Sequence, residues 1–251
     1  MVTGERALLF AAEHGLNLEL QADPDNPNLY TNPQIIELLE ARSAQAEKLA
    51  LIVSGLSGAG KDSVIDELVE MGRFDRVLTA TSRKKRLEEK NKPRSYVHLP
   101  GPTEFMVQAE AGSFWEYVPY AGHYSGLRWR ELETALNWDT NIVPVFRVDP
   151  VGGEKLMRMW MKGGKMLAEH QLVYVFVLPE SRDELVNRLT ARNGLDAMDR
   201  EARLGQIDKD LARIDCASHV LINPDGDLDN TVATVVGIVE SYQEWMGLKI
   251  N

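Results

Sequence analysis

One short stretch restricts the folds open to this chain more than any other: Leu49-Ala-Leu-Ile-Val-Ser-Gly-Leu-Ser-Gly-Ala-Gly-Lys-Asp-Ser63. Its apolar start, residues 49–53, reads as a buried parallel strand. The strand breaks into Gly55, Gly58 and Gly60, and Val64, Ile65 and Leu68 then recur on one face of a helix. Strand, glycine loop and helix, in that order, make the setting of a phosphate-binding loop. Glycines let backbone N–H groups turn toward phosphate oxygens, the helix N-terminus adds its dipole, and Lys61 can reach the terminal phosphates. Gly55, Ser57, Gly58, Ala59, Gly60, Lys61, Asp62 and Ser63 are therefore the expected cradle for a nucleotide. The pattern GxxxxGK[ST] puts a Mg2+-binding hydroxyl after the lysine, and here that residue is Asp62. Either Ser63, one place on, supplies the hydroxyl, or Asp62 holds the metal's water shell through its carboxylate.

The bulk chemistry narrows the partners. Of 251 residues, 44% are hydrophobic and 26% charged, the balance of an ordinary globular protein, and the net charge of −10 argues against a nucleic-acid surface. The single Cys216 excludes an intramolecular disulfide framework and fits a reducing cytoplasm. No apolar run is long enough to cross a bilayer, and Met-Val-Thr-Gly-Glu-Arg lacks the layout of a secretion signal. A cytoplasmic protein with small-molecule partners and no membrane partner is expected. The five histidines and Cys216 show no metal-ligand spacing.

Along the chain, residues 1–47 form an extension before the first core strand. A short helix is expected at 5–14, a loop at 21–33, and an amphipathic helix from Pro33 to about Lys48 with Ile35, Ile36, Leu38 and Leu39 apolar. No motif residue lies in the extension. It is expected to be an appendage that packs on the core and does no chemistry, removable without loss of the nucleotide site, or else a dimerisation or partner-binding arm, with a homodimer possible. From 48 to 251 strands and helices alternate. Strands are expected at 76–81, 141–148, 172–178 and 219–223, and helices at 128–137, 154–170, 181–192, 199–214 and 229–245. Short β pieces at 95–99 and 114–121 flank a helical segment near 104–111. The fold class is α/β: a doubly wound parallel sheet with the ligand at the carboxyl ends of its strands. A β-rich lobe inserted at 87–140 would bind an acceptor over that edge.

Past the second strand comes Thr79-Ala-Thr-Ser-Arg-Lys-Lys-Arg86, where the guanidinium groups of Arg83 and Arg86 can clamp a second phosphate. Glu89, Tyr96 and Phe114-Trp-Glu-Tyr-Val-Pro-Tyr-Ala-Gly-His-Tyr-Ser-Gly126 follow, and Glu116 can accept two N–H bonds from a base edge. In this order the motifs resemble the guanylate kinase family, over about residues 48–245. The resemblance implies ATP and Mg2+ as cofactors, and phosphoryl transfer to a nucleoside monophosphate, GMP or dGMP first. It gives Arg83, Arg86 and Tyr96 to the acceptor phosphate, Glu116 to guanine N1 and N2, and Thr79 and Asp149 to further base contacts. It gives Arg188, Arg192 and Arg203 to the transferring phosphoryl group, 193–201 to a mobile lid, and the segment ending at Asn223 to the adenine of the donor. The chain departs from the family pattern at four places. Asp62 follows the lysine, Ser125 replaces a tyrosine, Leu127 replaces the Ser or Thr that reaches guanine O6, and Arg147 stands where an acid is usual. Tyr124 is the candidate to replace the missing tyrosine. Two other functions fit the departures: a sugar-phosphate kinase resembling ribose 1,5-bisphosphate phosphokinase, and a non-catalytic guanylate kinase-like binding module.

Overall fold

The computed structural model describes residues 19–43, 45–85, 96–120, 122–138, 141–191 and 197–248. The described residues open with two short strands, β1 (Gln21–Ala22) and β2 (Leu29–Thr31), and helix α1 (Pro33–Ser43). Strand β3 (Lys48–Gly55) leads into the glycine loop and α2 (Lys61–Glu70). Next come β4 (Phe74–Val77), β5 (Thr79–Thr81), β6 (Tyr96–His98), α3 (Pro102–Glu110), β7 (Phe114–Tyr120), β8 (His123–Arg128) and α4 (Trp129–Leu136). The second half runs β9 (Val143–Arg147), α5 (Pro150–Met161), β10 (His170–Leu178), α6 (Arg182–Ala191), α7 (Ala197–Leu204), α8 (Ile207–Leu211), β11 (His219–Ile222) and α9 (Leu228–Trp245).

The central sheet has seven strands in the order β1-β2-β11-β10-β3-β9-β4. Every pairing from β11 to β4 is parallel. β10 is buried along its whole length and β3 along nearly all of it, which is why both are apolar runs without alternation. Helices α1 and α2 pack on α9, and α5 packs on β3 and β10. This is the α/β parallel architecture expected from the alternation of strands and helices.

Four local expectations change. Residues 21–33 are not a loop: β2 pairs antiparallel with β11, and Leu29 and Tyr30 join the core. The reversal before β2 is made by Asp23, whose carboxylate accepts the N–H groups of Asp25 and Asn26 at 2.9 and 2.8 Å. The strand expected at 76–81 is two strands that part at Leu78, β4 entering the central sheet and β5 a second one of order β6-β5-β8-β7. The helix expected at 154–170 starts earlier, because Asp149 caps it by accepting the Gly152 N–H at 2.8 Å and Pro150 takes its first turn. It stops at Met161, and Gly163, at φ 71°, turns the chain away. The helix expected at 199–214 is likewise broken into α7 and α8. The helix expected at 5–14 lies outside the described residues.

The second sheet, with α3, is a small lobe with its own core. Phe105 stacks between Phe114 and Tyr124, ring centroids 4.4 and 5.4 Å away, over Ala80. A bulge at Trp115 shifts the β7–β8 register, so that Glu116 faces Leu127 across the ladder.

Candidate active site

The carboxyl ends of β3 and β9, the glycine loop and the inner face of the lobe enclose a cleft of about 450 Å³. That is room for a nucleotide-sized ligand. Loop geometry follows from two glycines. A Cβ on Gly55 would lie 2.1 Å from the Val177 carbonyl oxygen, and one on Gly60 would lie 2.2 Å from Asn223 Nδ2, with φ at 137° and 90°. Only glycine fits either place. The Asn223 amide donates to the Ala59 carbonyl at 2.8 Å and accepts from Thr231 Oγ1 at 3.0 Å, so the end of β11 braces the loop from below. Lys61 Nζ donates to the Leu56 carbonyl at 3.1 Å and curls back over the loop.

Two arginines expected at the transferring group come to the same loop. Arg188 donates to Glu184 and, at 2.8 Å, to the Asn223 carbonyl. Arg203, from α7, donates to Ser57 Oγ at 2.5 Å. Both side chains line the cleft. Arg192 lies outside the described residues, as do Arg86 and Glu89 on the acceptor side.

The opposite wall carries the acceptor candidates. Arg83 stacks its guanidinium on the Tyr96 ring, 4.7 Å from the centroid. Thr79 is buried on β5, and Tyr124 uses its backbone to hold β5, its carbonyl accepting from Thr81 Oγ1 at 3.1 Å and from the Ser82 N–H at 3.0 Å. Glu116 is 7% exposed and sits against the first turn of α5, where a Cβ on Gly152 would come within 3.0 Å of its Oε1. Burial pushes its carboxyl up; Lys155, donating to Oε2 at 2.8 Å, pulls down, and the Asp149 charge adds to the rise. Asp149 is raised too, by burial chiefly, against its bond from Gly152 and the charge of Lys61. Leu127, 1% exposed, offers no hydroxyl beside Glu116.

Sequence reasoning gave no role to three charged residues, Lys155 beside the cleft and Asp210 and Arg147 in its wall. Lys155, on the second turn of α5, has no motif around it; its pairing with Glu116 appears only when α5 and β7 are packed together. Asp210 is 6% exposed in the cleft wall, and burial, with the Asp149 charge, pushes its carboxyl up to about 6 against Gln206, Lys61 and Arg213. Arg147 was noticed only as an oddity, and it proves to be an anchor. As the last residue of β9, in register with Val53 of β3, it places its Nε on Asp62 Oδ1 and its Nη2 on Oδ2, the latter at 3.1 Å.

That pair bears on Mg2+. In phosphate-loop enzymes the protein-side metal ligands are the hydroxyl after the lysine and an acid on a neighbouring strand. Here the first place holds a carboxylate with both oxygens engaged by a guanidinium, and the strand place holds that guanidinium. Burial alone would raise the Asp62 carboxyl; the charge and hydrogen bonds of Arg147, with Lys61 and Arg76 behind it, hold it far below the usual carboxylate range. Among the described residues no cluster of three His, Cys, Asp or Glu suits a metal ion. Of the two residues expected at Mg2+, Asp62 does not fit a metal because it is spent on Arg147, and Ser63 lines the cleft.

With this geometry in hand, relatives can be compared. The guanylate kinase family model matches residues 47–242. A guanylate kinase of Wolbachia sp. subsp. Brugia malayi (strain TRS) is 29% identical over 199 residues, which cover 79% of this chain and 95% of the relative. A guanylate kinase of Porphyromonas gingivalis (strain ATCC BAA-308 / W83) is 36% identical over 152 residues, 59% of this chain and 74% of the relative. The crystal structure of guanylate kinase from Anaplasma phagocytophilum shares the fold, with a TM-score of 0.57 at 20% identity, covering 80% of this chain and 89% of that one. Among the described residues no helix is long and apolar enough to cross a membrane. The family match spans most of the chain and includes every site residue discussed above: the chain belongs to the guanylate kinase family and is a phosphotransferase.

Proposed function

We propose that this protein transfers the terminal phosphoryl group of ATP to GMP or dGMP. The observation that carries the reading is Glu116, a buried carboxylate set into the acceptor wall of the cleft that holds the glycine loop. A carboxylate there can accept from N1–H and the exocyclic amine of guanine, a donor pair that adenine does not offer. Thr79 and Asp149 line the same wall, and Arg83 with Tyr96 supplies the phosphate clamp. Lys61, Arg188 and Arg203 converge on the loop from the donor side. Phosphoryl transfer asks little covalent chemistry of a protein: it needs in-line placement and neutralisation of charge. A binding module would have no use for the three cations gathered at the loop.

Lys155 adjusts the base reading. Its ammonium holds Glu116 until a base enters, and guanine would take over the carboxylate. The displaced ammonium then remains a donor beside the neighbouring O6, where Leu127 offers none. ATP binds at the loop and supplies the phosphoryl group, with its magnesium arriving on the substrate.

The deciding experiment is ADP release from ATP against a panel of GMP, dGMP, AMP, CMP, UMP and ribose 1,5-bisphosphate. GMP or dGMP is expected to have the highest kcat/KM. A ribose phosphate that outperforms every nucleotide overturns the guanine assignment, and no release with any acceptor overturns the enzyme reading.

A further inference from the structure

The Asp62–Arg147 pair is a double exchange of chemical roles. A hydroxyl has become a carboxylate and an acid has become a guanidinium, at the two places where phosphate-loop enzymes ligate their metal. Either change alone would leave a defect. Arg147 without Asp62 would put an uncompensated cation at the base of the loop, and Asp62 without Arg147 would put a second negative charge beside the incoming phosphates. Made together, they close into a two-point fork that ties β9 to the first turn of α2.

The fork does more than tie. The Arg147 side chain is 18% exposed and lines the cleft, and its guanidinium lies over the Tyr96 ring, 4.7 Å from the centroid. Arg83 lies at the same distance from that ring. Arg147 thus stands between the donor loop, through Asp62, and the acceptor clamp, through Tyr96. A guanidinium presents its N–H donors in a fixed plane. The aromatic contact and the fork together fix the orientation of that plane.

We propose that Arg147, held by Asp62 and Tyr96, is a phosphate-binding residue that supplies from the protein the positive charge for which related loops recruit a metal, so that binding of a nucleoside triphosphate here depends little on Mg2+. The inference rests on the reading of the cleft as a phosphoryl-transfer site, but it concerns binding, and its test uses no acceptor. Isothermal titration of the full chain with adenosine 5′-(β,γ-imido)triphosphate, in excess Mg2+ and in EDTA, gives the two dissociation constants. They are expected to agree within about fivefold. A larger tightening by Mg2+ overturns the proposal, and this comparison needs no variant. Arg147→Ala is expected to weaken binding in EDTA by about tenfold or more, with Arg147→Lys recovering part of it. The double variant Asp62→Ser with Arg147→Asp, which restores the usual pair, is expected to gain a Mg2+ dependence of about tenfold or more. If Arg147→Ala melts at a lower temperature but binds the nucleotide in EDTA as well as the parent does, the fork is only a tie between β9 and α2 and the proposal fails. A chain that binds the triphosphate without Mg2+ yet phosphorylates no acceptor would sink the proposed function and leave this inference standing.

Discussion

Side chains in and beside the cleft carry separable predictions. Lys61 opens α2, half-buried at the cleft, and donates to a carbonyl of the loop, so Lys61→Ala is expected to abolish phosphoryl transfer with little change in the thermal midpoint. Unaltered turnover would remove the loop from the chemistry. The base wall turns on Glu116 and Lys155. Glu116→Gln exchanges an acceptor for a donor opposite N1–H and is expected to reduce the kcat/KM preference for GMP over AMP by about tenfold or more. Lys155→Met should lower the same ratio by about threefold to tenfold through the O6 edge, while Leu127→Ser raises it. A ratio that ignores Lys155 would return that residue to a merely structural pairing. Asp210 gives a pH signature. Its carboxyl ordinarily titrates at 3.8 and in the fold is pushed up to about 6, so between those values the folded chain holds the extra proton. Stability on this account falls as pH rises through that window. Asp210→Asn should therefore be more stable than the parent above pH 6, by about 1–3 kcal/mol, with the gain shrinking toward zero below about pH 4. Chemical denaturation at three pH values checks the sign.

Among the elements, those that announced themselves were the ones whose local physics and tertiary role agree. β3, β10 and α2 were readable because an apolar run and a one-faced helix mean the same thing alone and in the sheet. The loop was readable because its glycines answer to close backbone approach; Arg83, Tyr96 and Glu116 were read through the resemblance to a family pattern, and the fold brings all three to the cleft. What escaped depends on partners distant in sequence. β2 is three residues long and follows a turn rich in Asp, Asn and Pro; only β11, far along the chain, makes it a strand. The parting of β4 from β5 at Leu78 leaves no mark on composition, since both halves are β-favouring. Lys155 and Arg147 acquired meaning only when α5 met β7 and β9 met α2. The loop's own bracing can be tested at this scale. Gly60→Ala brings both a strained φ and a clash with Asn223, and should lower stability and nucleotide affinity together. Adding Asn223→Ala relieves the clash and leaves the strain, so the double variant is expected to recover part of the stability, as read by thermal melts. A double variant worse than either single one would mean that Asn223 braces the loop more than it crowds it.

For the molecule as a whole, residues 19–47 are part of the domain. Tyr30 and Leu39 are fully buried and Leu29 and Ile35 nearly so, all in the main core. Arg42 clasps the end of α5, donating to the Met161 carbonyl at 2.8 Å and stacking over the Trp160 ring. Four buried side chains of this size contribute roughly 6–12 kcal/mol, as much as the whole net stability of a typical domain. That burial speaks against the dispensability expected of residues 1–47: a chain beginning at Lys48 should have a lower denaturation midpoint than one beginning at Glu19. Equal midpoints for the two truncations would refute this. The pairing of β2 with β11 also sets a timetable. β2 leaves the ribosome well before β11, and a strand cannot dock before its neighbour exists. Until β11 has emerged the nascent chain must carry the apolar faces of Tyr30 and α1 uncovered, an interval in which a holdase chaperone has its natural client.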